Sequence, residues 1–480
     1  MKQLPKERLN KKAGDAGNKD LRVLVYLALS NESHPEPEAK DRSLYDNLIR
    51  GIHRETRFLE FLTGVYAKKK PKPGLMRAVL IGLYQGLFLD QIPEYANYST
   101  IKNLLQYFGY SDSEQKFVHV ILKKALDEKA KWLELRKNIL SLCAQGGGAL
   151  LSPYQSDEIC AALNLSSEQL SLLRDAGRKI GLSTNHVWKA LAALKGQASL
   201  LGRAKLGTKP SSGKPLTGAL CEGVLLFSEA SEFRQELESG LIFAQGECSQ
   251  WLCAQASKEL QAMLSASNQG QTPLHGSFKV LEVGAGKGGK TIGTLQELKK
   301  IGAPLEAISW VAVDTSPVQE AAFSSFAAGY LHSLGAAPTY LVLAENRSIE
   351  IYDELQPGTF DMLWIDAPCS GLGTLSKHPE VALRTETKTI EAMAETQNEL
   401  ILKWQPFLKK GGLLIYSVCT MSWQETGAVV EAITKNIPSL EVHRTHHMWP
   451  GLNADESTPD HILTPASAEG FFVAMWKKSL

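Results

Sequence analysis

The sequence lacks three things that would each have pointed to a particular class of protein. It has no C-x-x-C pair, and its seven cysteines (143, 160, 221, 248, 253, 369 and 419) are odd in number and widely scattered. That argues against a disulfide framework and a four-cysteine zinc site, and suits a reducing, cytoplasmic setting. No long apolar run is present. The most apolar helical stretch, residues 75–92, is interrupted by Arg77 and Gln85, so it reads as a core helix rather than a membrane span. The basic opening segment has no apolar segment behind its charges, so a secretory signal is not expected. Net charge is nearly absent too, at +1. No global positive field would therefore draw the chain to a polyanion, and any such partner must be met by local patches.

What is present is enough chain for roughly two to four domains, with 44% hydrophobic residues among 480. The texture divides it into three parts: 1–142, 143–270 and 271–480. In the first, Leu44, Leu48, Ile52, Leu59 and Leu62 recur at mostly three- and four-residue steps, the spacing of one helix face. Similar patterns around Leu80–Phe88 and Phe117–Leu126 imply a bundle of several helices. Between the first two runs lies YAKKKPKPG, residues 66–74, whose prolines stop a helix and whose lysines suit either a solvated loop or a phosphate contact. The middle part is mixed. Its glycines and prolines mark a boundary near 145–153 and a flexible basic loop at 206–218, but its periodicity specifies no fold. From residue 278 onward, short apolar runs (278–283, 309–314, 339–344, 360–366 and 411–419) alternate with helical segments. That is the pattern of an open, Rossmann-like parallel sheet with helices on both faces, making the whole chain multidomain α and α/β.

The first of these strands runs into VLEVGAGKGGKT, residues 280–291, which fits two fingerprints. Gly284, Gly286 and Gly289 make G-x-G-x-x-G, while Gly284, Gly289, Lys290 and Thr291 make the triphosphatase pattern. A strand, a glycine loop and a helix in this order form a binding loop at the sheet's carboxyl edge. Asp314 closes the second strand, where a carboxylate accepts hydrogen bonds from ribose hydroxyls. Asp366 ends another strand and could hold a metal, but Pro368 and Cys369 follow it, and magnesium has little use for a thiol. No metal is expected. Cys419 ends the next apolar strand, so two thiols are expected to face one crevice beside an adenosine site.

Such a pair suits one difficult reaction. Cytosine C5 is too weak a nucleophile to take a methyl group directly, but a thiolate adding to C6 converts the ring to an enamine whose C5 is reactive. The adduct must then lose the C5 proton and expel the thiol. A thiolate with a depressed pKa serves best, and two cysteines suggest that one attacks while the other helps release.

The stretches DAPCSGLGTLSKHPE (366–380), YSVCT (416–420) and EGFF (469–472) resemble the RsmB/Sun family of bacterial 16S ribosomal RNA cytosine-5 methyltransferases. By that resemblance the sheet is a class I methyltransferase domain that uses S-adenosylmethionine. Cys419 would be the attacking thiol and Cys369 the assistant in release. Asp366 would hydrogen-bond the target base, and Lys290 would sit near the methionine end of the cofactor or the base. Cofactor contacts would come from Gly284, Ala285, Gly286, Lys287, Gly288, Gly289, Lys290, Asp314, Glu345 and Asp366. The helical first part resembles the family's NusB-like RNA-binding domain, which favours the phosphate-contact reading of the 66–74 loop. The segment at 240–252 is similar to the family's entry helix.

Departures from the family pattern are local. Gly284, Gly286 and Lys287 stand where the family has Cys, Ala and Pro in Cys-Ala-Ala-Pro-Gly-Gly-Lys. Lys287 adds charge near a cationic sulfonium unless it reaches outward to phosphate. Glu345 replaces an aspartate at the adenine edge, Glu425-Thr426 replaces Glu-Asn, and the Arg-x-Asn stretch before the domain is missing. The sequence thus implies a cytoplasmic, monomeric S-adenosylmethionine-dependent RNA cytosine-5 methyltransferase, with 16S ribosomal RNA as partner and no membrane association. A non-catalytic RNA-binding or ribosome-assembly factor and a nicotinamide-dependent oxidoreductase are the rivals, with a triphosphatase last.

Overall fold

The computed structural model describes residues 20–268, 278–343, 353–451 and 459–480. They fall into two compact units divided between Leu170 and Ser171, with Ala382–Arg384 grouped with the first. Among the described residues no helix is long and apolar enough to cross a membrane.

The first unit is helical. Leu21–Ala28, Arg42–Tyr66, Pro73–Phe88, Glu94–Tyr107, Asp112–Asp127 and Lys129–Ala144 surround one core, and Ser156–Leu163 follows. Local signals set the ends. Ser111 and Glu114 form a capping box that satisfies amides at the start of Asp112–Asp127. Pro73 opens its helix at a position that needs no N–H donor. Leu48, Ile52, Leu59 and Leu62 are buried, as their spacing requires. Arg136 reaches Glu55 at 2.6 Å and joins two helices through a largely buried ion pair. Between Tyr66 and Pro73, Lys68, Lys69, Lys70 and Lys72 are exposed.

The second unit carries two sheets. The smaller is antiparallel, in the order β2-β3-β1-β4, with β1 Leu200–Ala204, β2 Lys214–Pro215, β3 Val224–Phe227 and β4 Ile242–Ala244. It is keyed to the larger sheet's helices by Arg203, which is buried. Arg203 donates to Glu297 at 2.8 Å and to the carbonyls of Gly293 and Gln250. The loop at 206–218, expected to be flexible, is pinned where one Glu236 oxygen accepts the amides and hydroxyls of Ser211 and Ser212. Composition alone could not reveal that partner, which lies in a later helix, Ala230–Glu238.

The larger sheet has eight strands in the order β11-β10-β12-β9-β8-β5-β6-β7. Strands β5 (Phe278–Val283), β6 (Ile308–Asp314), β7 (Thr339–Val342), β8 (Phe360–Asp366) and β9 (Leu408–Val418) are parallel, matching the five apolar runs. Three further strands make the sheet mixed. Strand β12 (Phe471–Lys478) runs antiparallel between β9 and β10 (Leu440–Met448), and β11 (Ile462–Leu463) adds to β10. Alternation sorts the side chains to two faces. Val280, Met362, Trp364, Leu413 and Ile415 enter one core, and Leu281, Val283, Leu363, Ile365 and Leu414 enter the other. Both faces are covered, which leaves the carboxyl edge of the parallel strands as the place for a site.

Candidate active site

The glycine loop leaves β5 and opens the helix Gly289–Lys300. At Gly284 φ is +79°, and an added Cβ would collide with the Asp366 carbonyl oxygen, so the backbone of the loop lies directly against the end of β8. The amides of Gly284 and Ala285 donate to the Val313 carbonyl, that of Gly286 to Asp314 at 2.9 Å, and that of Gly288 to Ala285. These four N–H groups are used inside the protein. The loop therefore does not offer these four to a phosphate. Gly286 has φ +54° and open space where a Cβ would stand, leaving its surface clear for a ligand. Tyr340 donates to its carbonyl at 2.8 Å. Lys287 is exposed.

Asp314 accepts the amides of Gly286 and Ser316, one on each oxygen. A carboxylate oxygen has a second lone pair, so the group still has acceptor capacity for ribose hydroxyls. The open face at Gly286 and the spare lone pairs of Asp314 fit the adenosine part of S-adenosylmethionine. Glu345 lies outside the described residues.

Asp366 stands at the end of β8 beside its register partner on β9, Ser417. Ser417 donates to Asp366 at 2.8 Å and takes a hydrogen bond from the Trp364 indole at 3.1 Å. The other Asp366 oxygen takes the Lys290 ammonium at 2.5 Å. Burial pulls the Lys290 pKa down, but the charge and hydrogen bond of Asp366 more than offset it, so the ammonium is held above its ordinary range. Lys290 also lies over the Phe471 ring, 6.0 Å from its centroid.

The two thiols meet. Cys369, in the loop after β8, and Cys419, directly after β9, place their sulfurs 3.3 Å apart. A hydrogen bond from Cys369 holds Cys419 below the usual thiol range, and the Lys290 ammonium adds to this. The same contact, together with burial, pushes Cys369 well above it. The contact thus favours charge on Cys419 over charge on Cys369. Cys143, Cys221, Cys248 and Cys253 are all driven up by burial, the state of inert cysteines.

Sequence reasoning singled out Lys290, Asp366, Cys369 and Cys419, and the fold brings these four together. It passed over Ser417, whose signal was its place two residues before Cys419 on the same strand. It also passed over Glu282, a lone acid in an apolar strand. Glu282 is fully buried, accepts from Thr291 at 2.5 Å and from the Trp310 indole at 3.0 Å, and leaves its second oxygen without a partner. Burial raises its pKa to about 7.

Because the folded value exceeds the ordinary carboxyl value, Glu282 contributes stability that is fully present below about pH 4.5 and lost as pH rises through about 7. Glu282→Gln cannot ionise. It is expected to be more stable than the parent at pH 8, by up to roughly 3 kcal/mol, with the gap closing toward pH 5. Denaturant melts at the two pH values check this, and an equal difference at both would refute it.

Residues 272–477 match the family model of 16S rRNA methyltransferase RsmB/F. The chain is similar to the ribosomal RNA small subunit methyltransferase F of Aeromonas salmonicida, 33% identical over 135 residues, or 27% of this chain and 28% of that protein. It is 29% identical over 208 residues to that of Shigella flexneri serotype 5b, covering 42% of this chain and 40% of the relative. The chain thus spans well under half the length of these curated relatives. Among solved structures, that of PH0851 covers 96% of this chain and 99% of its own, at 16% identity and TM-score 0.61. The fold is that of class I, S-adenosylmethionine-dependent methyltransferases, preceded by a helical region.

Proposed function

We propose that the chain transfers a methyl group from S-adenosylmethionine to C5 of a cytosine in RNA, with 16S ribosomal RNA as substrate. The observation that carries this reading is the pair of sulfurs 3.3 Å apart at the ends of β8 and β9, beside the Lys290–Asp366 pair.

Asp366, Gly286 and Asp314 border the place for the cofactor, which when bound supplies an electrophilic methyl group. Lys290 offers a donor and Asp366 an acceptor, matching the cytosine edge, where N4–H₂ donates while N3 and O2 accept. Held there, the base presents C6 to the Cys419 thiolate, whose addition to C6 makes C5 nucleophilic. The contact with Cys369 lowers the Cys419 pKa from the ordinary thiol value, which favours the attacking thiolate. After methylation a base takes the C5 proton, the freed electron pair restores the C5–C6 double bond, and the C6–S bond breaks to return Cys419 as a thiolate. Cys369, in contact with the attacking sulfur, takes part in that release.

The exposed lysines at 68–70 and 72 suit phosphate contacts from a NusB-like helical unit.

The test is transfer of labelled methyl from S-adenosylmethionine to protein-free 16S RNA, followed by nucleoside analysis. Label in 5-methylcytidine is expected. Label in another nucleoside would refute the cytosine assignment. Absence of label from both free RNA and small-subunit particles, with RNA still bound, would favour the non-catalytic factor.

A further inference from the structure

Glu425 lies six residues beyond Cys419, before the helix Gly427–Asn436, and is fully buried. A carboxylate inside a protein costs several kcal/mol unless its oxygens are satisfied. Here five neutral donors do so. The Ser370 amide donates at 2.7 Å and the Gln397 amide group at 3.2 Å to one oxygen. The hydroxyls of Ser370 (2.5 Å), Ser422 (2.7 Å) and Thr420 (3.1 Å) donate to the other.

These donors are not scattered. Ser370 follows Cys369, and Thr420 follows Cys419, so the carboxylate grips the residue next to each thiol. The Ser370 and Thr420 hydroxyls also meet at 2.9 Å. Gln397, from the helix Thr387–Trp404, donates in addition to the Pro368 carbonyl, just ahead of Cys369, and accepts from the Tyr416 hydroxyl on β9. A single acid is thus the shared partner of two loops that also meet through the Ser370 and Thr420 hydroxyls, the Gly373 amide on the Cys419 carbonyl, and the two sulfurs. An apolar side chain of similar size could fill the space, but it could not hold both loops by their donors.

We propose that Glu425 is a positioning residue, whose carboxylate ties the Cys369 loop to the Cys419 loop and so keeps the two sulfurs in contact for successive roles on one base. The proposal rests on the two-thiol reading above. It extends it by assigning what holds the pair together and what keeps the pair unequal. The groups facing the sulfurs are Asp366 and Lys290 on one side, Lys377 near Cys419, and Glu425 near Cys369. The contact with Cys419 and burial are the larger causes that disfavour ionisation of Cys369, and the negative charge of Glu425 acts in the same direction. Loss of that charge lets Cys369 ionise more readily, and loss of the tie weakens the hydrogen bond that favours thiolate at Cys419. Both changes bring the two titrations toward each other.

The experiment is alkylation of the full chain by iodoacetamide across pH 6–10, read separately at Cys369 and Cys419 by peptide mass spectrometry. The parent is expected to label first at Cys419. In Glu425→Gln the ratio of Cys419 to Cys369 labelling near neutral pH is expected to fall about tenfold, the equivalent of one pKa unit between the thiols. A role limited to stability would lower the melting temperature and leave that ratio unchanged, and this outcome in folded protein overturns the proposal. Should Glu425→Gln fail to fold, Ser370→Ala removes one hydroxyl tie while keeping the charge. It is expected to move the ratio the same way by a smaller factor, and an unchanged ratio in it is equally fatal. Neither RNA nor S-adenosylmethionine enters the assay. A parent chain that methylated no RNA would sink the reaction while leaving this result standing, and an unmoved ratio would sink the positioning role while leaving the reaction standing.

Discussion

Cys419→Ala is expected to abolish methyl transfer, by at least about 10³-fold, and to abolish covalent trapping of RNA, because without the thiolate nothing adds to cytosine C6. Two features of the site support this proposed role for Cys419. Contact with the Cys369 sulfur and the nearby Lys290 ammonium both lower its pKa from the ordinary thiol value. Cys369→Ala should separate the steps. It removes a donor to Cys419 but leaves the attacking sulfur, so the adduct is expected to form and then persist while turnover falls. Denaturing gels of protein incubated with RNA and cofactor distinguish the two variants. Adduct accumulation in Cys419→Ala instead of Cys369→Ala would reverse the assignment of roles. Normal methylation by both would refute the two-thiol mechanism.

Lys290→Met is expected to lower kcat/KM by roughly 10²–10³-fold. Breaking a largely buried ion pair leaves Asp366 with an uncompensated charge, a penalty of several kcal/mol that is felt where the base must be held. The substitution should also leave a distinct mark on the pH profile. Activity rises as Cys419 ionises, and Lys290 helps keep that ionisation below the ordinary thiol range. Removing the ammonium is expected to move the rising limb to higher pH. Rates measured across pH 6–10 check this. A fall in rate with an unmoved limb would restrict Lys290 to holding the base or cofactor, with no part in tuning the thiol.

Much of this site was legible in the sequence because its parts lie at strand ends. The run from Val280 to Thr291 joins strand, loop and helix without a gap, so the place of Gly284, Gly286 and Lys290 followed from local order. Asp314, Asp366, Cys369 and Cys419 could be set on one edge because each closes or follows an apolar run, and parallel strands share a carboxyl edge. The last three strands were harder to read. Strand β10 carries His443, Arg444, His446 and His447, which hide its alternation, while β11 has only two residues. The apolar run of β12 carried a family likeness but no sign of its direction or of its place between β9 and β10.

The polar network was the least legible part. Glu425 stands at a position of the family pattern, but its partners come into view only when the loop after β8 supplies Ser370, and Ser417 acquires meaning only from its register beside Asp366. Glu282 is a similar case. A single acid in a strand reads as an exposed position, whereas here Thr291 and the Trp310 indole receive it inside the core. Such partners are distant in sequence, and neither periodicity nor composition encodes them.

Strand β12 has a further consequence, for the order of assembly. Strand β9, which Cys419 directly follows, has β8 along one edge and β12 along the other, and β12 begins more than fifty residues later in the chain. During synthesis β9 emerges with one edge unpaired and keeps it so until β12 has left the ribosome. Closing that gap requires pairing across a long intervening segment, a slow event in folding because the loop must be ordered before the contact rewards it. Phe471, at the start of β12, is also the ring beneath Lys290. The thiol pair's surroundings are therefore completed only with the last strand, and a growing chain that has already made both cysteines does not yet have the pocket in which they work.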